Sequence, residues 1–344
     1  MGEQPTTTKP GPQSASAASI APDVWRFVAL WLLTAGALLA GAASQLSRYQ
    51  LGARFLAAVI IAFLLQLALY WLPGFERLRG RLEATFPGRR FILVLGVALL
   101  VPYFVYGIGT GSLKAIPALK QVSLVALVFG VYGFWTPRKP ALAVQDVVVL
   151  VGIAAPVYVN WYRDIWPAPV HLDFMARLFV VGVTAIGLLS LRRLPNVGYQ
   201  WRLQTGDWIE GGKQFVFFSI IGLPLGFAMR FIAWHPKQAD PFSIGFSFLG
   251  IFMLIAVAEE LFFRGALQNL LENRLGNALA ARAIASALFG LSHIHHGFPN
   301  WRYVILAAIA GWFYGTAWHR RRSSIAPSVT HAAVDTMWRH FLTA

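Results

Sequence analysis

Long apolar runs separated by short basic or Pro-Gly turns recur through the whole chain, and they leave few folds open. A run of about 17–25 apolar residues is enough to cross a ~30 Å hydrocarbon core as a helix. Within lipid the backbone must satisfy its own hydrogen bonds, so such runs fold as helices unless they close a barrel. The runs lie near 24–43, 54–72, 91–109, 119–135, 144–161, 174–191, 213–234, 243–271, 278–294, 303–319 and 324–341. The expected fold is an all-α polytopic membrane protein of about eleven transmembrane helices, ending in a C-terminal helical bundle. Leu72-Pro73-Gly74, Pro137-Arg138-Lys139-Pro140, Arg192-Arg193-Leu194-Pro195 and the basic stretch from His319 to Arg322 punctuate the runs.

A formal charge of +15 raises nucleic acid as a partner. The Lys and Arg residues fall in short loops between apolar runs, with no nucleic-acid-binding motif, so the bias reads as membrane topology and no nucleic acid is expected. The richer loops hold Arg77, Arg79, Arg81, Arg89 and Arg90, then Arg138 and Lys139, then Arg192, Arg193 and Arg202, then Arg274 and Arg282, then Arg320 to Arg322. They alternate with poorer loops bearing Arg163, Lys237 or Arg302. The positive-inside rule then predicts a multi-pass protein of the cytoplasmic membrane, N-terminus inside and, with eleven spans, C-terminus outside. Residues 1–22 read as a disordered cytoplasmic tail rich in Pro, Thr, Ser and Ala. Trp71, Trp135, Trp161, Trp166, Trp201, Trp208, Trp234 and Trp301 close the runs and suggest an interfacial aromatic belt. Gly107, Gly109 and Gly111 read as a helix end rather than a dinucleotide loop, since no strand precedes them. With no cysteine, thiolate metal sites and disulfides are excluded.

Ionisable residues inside these runs need a reason to be there, because a carboxylate in hydrocarbon costs at least a few kcal/mol. Glu259 and Glu260 are adjacent, and successive helical residues point about 100° apart, so they face different ways. Glu260 and Arg264 share a face at i,i+4 and can pair. Glu259 has Phe263 and Ala256 as its neighbours along the helix, so it stands as an unpaired carboxylate suited to general acid–base work. His293 ends a helical run. His331 and Asp335, also i,i+4, share a face as either a metal pair or a hydrogen-bonded catalytic pair. His171, His235, His319 and His340 read as solvated, with His295 and His296 near the interface. At ~1.5 Å per residue, Glu259 and His293 lie ~20–24 Å above the turn at 272–277, and Asp335 ~18 Å above Ser323. Similar depths point to one site.

Three motifs carry a family resemblance: Glu259-Glu260-Leu261-Phe262-Phe263-Arg264, Phe289-Gly290-Leu291-Ser292-His293, and His331-Ala332-Ala333-Val334-Asp335. In this order the chain resembles the CPBP family of intramembrane proteases, whose motifs are E-E-x-x-x-R, F-x-x-x-H and H-x-x-x-N/D. The family takes in type II CAAX prenyl endopeptidases, bacteriocin-processing and immunity proteins, and lysostaphin-resistance-like proteins. The resemblance covers about residues 213–342. It divides the chain into the tail, N-terminal transmembrane helices of unknown role (23–210), and a protease domain (211–344).

The resemblance implies hydrolysis of a peptide bond near the C-terminus, or in a leader, of a membrane-embedded or lipid-anchored substrate. It assigns water activation to Glu259 and His293, and oxyanion stabilisation to His331 and Asp335. Ionised Asp only accepts hydrogen bonds, so Asp335 is expected to accept from His331 and orient that ring, leaving His331 as the oxyanion donor. Glu260 and Arg264 are expected to position the site. No cofactor is favoured; the alternative is zinc held by His293, His331 and Asp335. A non-catalytic immunity or scaffold protein and a transporter are the competing readings, the latter weakened by the lack of inverted repeats.

Overall fold

The computed structural model describes residues 21–46, 49–167, 172–202, 204–295, 297 and 300–343. Most of the expected disordered tail, together with His171 and His296, lies outside these residues. A helix occupies each of the eleven apolar runs: α1 (Ala21–Leu46), α2 (Ala53–Trp71), α4 (Arg89–Thr110), α5 (Ala115–Phe134), α6 (Val144–Tyr158), α7 (Phe174–Leu191), α8 (Thr205–Ala228), α9 (Pro241–Leu275), α10 (Ala278–Leu291), α11 (Trp301–Arg321) and α12 (Ile325–Phe341). Seven of these are long and apolar enough to cross a membrane, namely α1, α2, α4, α5, α7, α8 and α9. The protein is thus an almost wholly helical, multi-pass membrane protein, while α6 and α10 are shorter apolar helices.

Two departures from the sequence reading have clear causes. The arginine-rich loop after α2 contains a further helix, α3 (Glu76–Thr85), which has no buried residue. It lies on the surface, where Arg79 donates to the Pro73 carbonyl at 2.7 Å and its stem's desolvation lowers the guanidinium pKa. Helix α8 begins at Thr205 rather than 213. Its polar first turns are stabilised because Asp207 meets Arg321 at 2.8 Å and Glu210 meets Arg320 at 3.0 Å, both at the C-terminal end of α11.

Hydrogen bonds between loops define two faces. At one, Trp201 N–H donates to Gly74, Leu142 to Leu270 and Ser324 to Gly198. This face gathers the arginine-rich loops, and Arg322 adds a contact to Glu272 at 2.7 Å. At the other, Ala233–Trp234 pairs antiparallel with Leu342–Thr343, and His235 and Lys237 N–H donate to Phe341 and His340. The helices run between these faces.

The aromatic belt needs correction. Trp71, Trp166 and Trp201 are core residues, 2%, 3% and 5% exposed. Trp71 and Trp201 rings touch each other with centroids 4.1 Å apart. Trp135, Trp161, Trp208, Trp234 and Trp301 are exposed, as a belt requires. His340, expected in solvent, is buried and bonds Ser247 Oγ at 2.9 Å, while His319 contacts Glu272 at 3.2 Å. Gly107 and Gly109 lie in the last turn of α4 and Gly111 ends it, in the left-handed region at φ 70° that favours glycine at a helix C-terminus.

Candidate active site

The site is built by α9, α10, α11 and α12. Helix α9 is not a uniform α-helix: π-helical stretches at Phe252–Ala256 and Leu261–Gln268 flank one α-helical turn, Val257–Glu260, that carries both glutamates. Such wide turns frequently mark functional positions, because they re-aim side chains that a regular helix would direct elsewhere.

Glu260 and Arg264 are both fully buried and pair, with Arg264 Nε 3.1 Å from Glu260 Oε2 and its NH1 3.3 Å from Oε1. The guanidinium also donates from NH2 to the Gly311 carbonyl at 2.9 Å. Its carbon lies 4.5 Å from the centre of the Phe289 ring and 5.3 Å from that of Tyr314, so aromatic faces supply further stabilisation for the cation. This approach needs glycine on α11: a Cβ at Gly311 would sit 3.0 Å from Arg264 NH2 and 3.1 Å from the Phe289 ring. Gly290 does the same between α10 and α11, where a Cβ would meet the Val304 carbonyl at 2.5 Å.

The second partner of Glu260 comes from α12. His331 Nδ1 lies 2.8 Å from Glu260 Oε1, and since an ionised carboxylate only accepts, Nδ1–H is the donor. The other ring nitrogen, Nε2, then faces Asp335 Oδ2 at 3.5 Å and Glu259 Oε2 at 3.9 Å. The ring is stacked on Tyr314, centroids 4.7 Å apart and 13° from parallel, with the edge of Phe289 at 5.8 Å. The expected Glu260–Arg264 pair and the His331–Asp335 proximity are therefore both present. Glu259 is less isolated than its own helix suggests, because His331 reaches it from α12; its Oε2 is nonetheless buried without a hydrogen bond among the described residues.

His293 follows the C-terminus of α10. Its Nδ1 lies 2.8 Å from the Phe289 carbonyl, which only accepts, so the proton is on Nδ1 and Nε2 is the nitrogen with a lone pair in the neutral ring. A water-accessible cavity of about 610 Å3 brings His293 and Glu259 onto one wall. Its mouth carries Asn160, Arg163, Asp173 and Arg177 from the far end of α6 and the start of α7. A smaller chamber of about 50 Å3 is lined by His293, Tyr303, His331 and Asp335. All six residues singled out from sequence thus converge. Among the described residues no group of three His, Cys, Asp or Glu side chains is arranged to hold a metal ion, and His293, His331 and Asp335 meet only as walls of the small chamber.

Sequence reasoning missed Tyr314, the aromatic floor under both His331 and Arg264, and Tyr303, whose ring lies 4.9 Å from that of His293 and which lines both cavities. Neither ring carries a motif of its own. The only signal was Gly311 and Gly315 bracketing Tyr314 on α11, small residues that let neighbouring helices approach.

A multi-pass helical protein with carboxylates and imidazoles converging at a water-accessible cavity is the architecture expected of an intramembrane hydrolase. Residues 241–337 match the family model described as Rce1-like, type II CAAX prenyl endopeptidase Rce1-like. The match starts at the first residue of α9 and ends two residues beyond Asp335, so it contains all six site residues. The family resemblance read from the three motifs is borne out over that segment, and the family it indicates is one of membrane proteases. The chain matches no curated protein and no solved structure.

Proposed function

We propose that this chain is an intramembrane endopeptidase that hydrolyses a peptide bond of a membrane-associated polypeptide, with residues 211–344 as its catalytic domain and all eleven apolar helices crossing the cytoplasmic membrane. The observation that carries the reading is the shared wall of Glu259 and His293 on the large cavity, within reach of His331. A water held between Glu259 and His293 gives its proton to the carboxylate as its oxygen attacks the scissile carbonyl. The developing oxyanion needs a donor beside that carboxylate, and His331 Nε2 is the nitrogen that faces it once Nδ1–H is committed to Glu260. For this His331 carries a proton on both ring nitrogens; before attack its Nε2–H points at Asp335 Oδ2, 3.5 Å away, and it turns from that carboxylate to the oxyanion as the charge develops. Glu260, Arg264 and Tyr314 act on substrate only through His331 and are positioning residues. The proton on Glu259 then passes to the leaving amine. No cofactor enters these steps.

A substrate-capture experiment tests this reading. Glu259→Gln removes the base while preserving the shape of the cavity, so the variant purified from membranes should retain an uncleaved polypeptide that the wild type releases as fragments. Identical co-purifying polypeptides for the two proteins would contradict it.

A further inference from the structure

Among the described residues, the exposed charged and amide side chains that line the cavity, Asn160, Arg163, Asp173 and Arg177, lie on the face opposite the arginine-rich loops. Its mouth is formed by the C-terminal end of α6 (Pro156, Val157), the turn after it (Asn160, Arg163) and the first turn of α7 (Asp173, Arg177). The deeper wall includes His293, past the C-terminal end of α10, and Tyr303 in the first turn of α11. The opposite ends of these helices belong to the other face: α9 turns into α10 at Gly276–Asn277, and α11 turns into α12 beside Arg322. At ~1.5 Å per residue, Glu259 lies ~24 Å from the C-terminal end of α9, which leaves it close to the far boundary of a ~30 Å core.

The arginine-rich face is closed beneath the site. Gln268 and Asn269, both about one turn below Arg264, are 0% and 1% exposed. Gln268 donates to the Gly315 carbonyl at 3.1 Å and Asn269 to that of Pro195 at 2.7 Å, tying α9 to α11 and to the turn after α7. Below them the Arg322–Glu272 and Arg321–Asp207 pairs join α11 to α9 and α8. A polypeptide approaching from that side meets packed helices and ion pairs.

The charge bias assigns the faces to compartments. Lys and Arg in short loops mark the cytoplasmic side, and acidic partners alter this little, so the pairing of Arg320 to Arg322 does not cancel their weight. We infer that the active-site cavity opens to the extracytoplasmic side and takes a polypeptide segment that has already crossed the membrane. The inference rests on the cavity being the substrate's route, as proposed above. The reaction that supplies the substrate is then translocation of a tail or juxtamembrane segment. A lipid-modified tail held at the cytoplasmic leaflet would reach only the closed face.

The absence of cysteine makes the sidedness measurable in the full chain. Arg163→Cys puts a thiol at the cavity mouth, Arg138→Cys one in an arginine-rich loop, and Lys237→Cys one in a loop of the cavity's face; all three positions are exposed. Intact cells producing each variant are treated with a membrane-impermeant sulfonated maleimide, before or after permeabilisation. The expected result is labelling of positions 163 and 237 in intact cells, at least tenfold above position 138, which labels only after permeabilisation. Labelling of position 138 in intact cells, or of position 163 only after permeabilisation, overturns the inference. The labelling requires no catalysis, so it stands apart from the proposed activity. In a second arm, labelled Arg163→Cys should cleave co-produced substrate at least fivefold more slowly than the unlabelled variant. Unchanged cleavage there would reject the cavity as the substrate's route while leaving its sidedness measured.

Discussion

Arg264 is the most informative residue to remove. In Arg264→Met, Glu260 keeps zero exposure and keeps His331 as a partner, but loses the cation 3.1 Å away. The Gly311 carbonyl loses its donor, and Phe289 and Tyr314 lose the charge on their faces. Breaking a buried pair from one side costs about 3–5 kcal/mol, because the remaining charge is left uncompensated in a medium that cannot solvate it. That is a large share of the roughly 5–15 kcal/mol that holds a typical fold together. Changing Glu260 to Gln in the same chain removes the stranded charge, and the amide oxygen still accepts from His331 Nδ1–H. The double variant should therefore recover most of the loss, giving a coupling of about 2 kcal/mol or more. The assay is unfolding in mixed micelles titrated with a denaturing detergent, on wild type, both single variants and the double. Additivity within about 0.5 kcal/mol, the scatter expected of independent sites, would show that the two side chains do not act as a pair and would refute the reasoning.

Other outcomes follow from the same geometry. Exhaustive chelation should leave proteolysis intact and purified protein should hold well under one zinc per chain; activity lost on chelation and restored by stoichiometric zinc, with that zinc gone in His293→Ala, would transfer His293 and His331 to a metal. Gly311→Ala should destabilise by about 1–3 kcal/mol as an overpacked contact, seen as a lower midpoint in the same micelle titration; an unchanged midpoint would mean that α11 does not approach Arg264 so closely. Asp335→Asn, which keeps an acceptor for His331, should retain activity within tenfold, whereas Asp335→Leu should lose a hundredfold in kcat; equal losses in both would mean that the charge, not the hydrogen bond, matters.

The helices were legible because hydrocarbon imposes one rule on every spanning backbone, and each apolar run did become a helix. Their ends were less so: the start of α8 depends on ion pairs to Arg320 and Arg321, more than a hundred residues away in sequence. Glu260–Arg264 was readable because i,i+4 partners lie on one helix. The bond from His331 to Glu260 spans 71 residues and was not, since spacing along one helix cannot say which face another helix presents. For the same reason Trp71 and Trp201 passed for belt residues although they pack together in the core. The cavity mouth at Arg163 and Arg177 belongs to the turn after α6 and the start of α7, where no motif flagged it. Four of the eleven fall outside the seven long apolar helices for two different reasons: α6 and α10 are apolar but short, whereas α11 and α12 are less apolar because polar and charged residues interrupt them.

The central claim is that Glu259 is the general base of a membrane protease. Its most direct test compares membranes from cells producing wild type or Glu259→Gln, with new polypeptide termini mapped by mass spectrometry and fold checked by the micelle titration. Replacing the carboxyl by its isosteric amide should leave stability within about 1 kcal/mol, since the side chain is 34% exposed on the cavity wall and its Oε2 has no hydrogen bond to lose among the described residues. The predicted result is a set of termini present with wild type and absent with the folded variant. Termini that persist in the variant at more than a tenth of the wild-type level would contradict the claim.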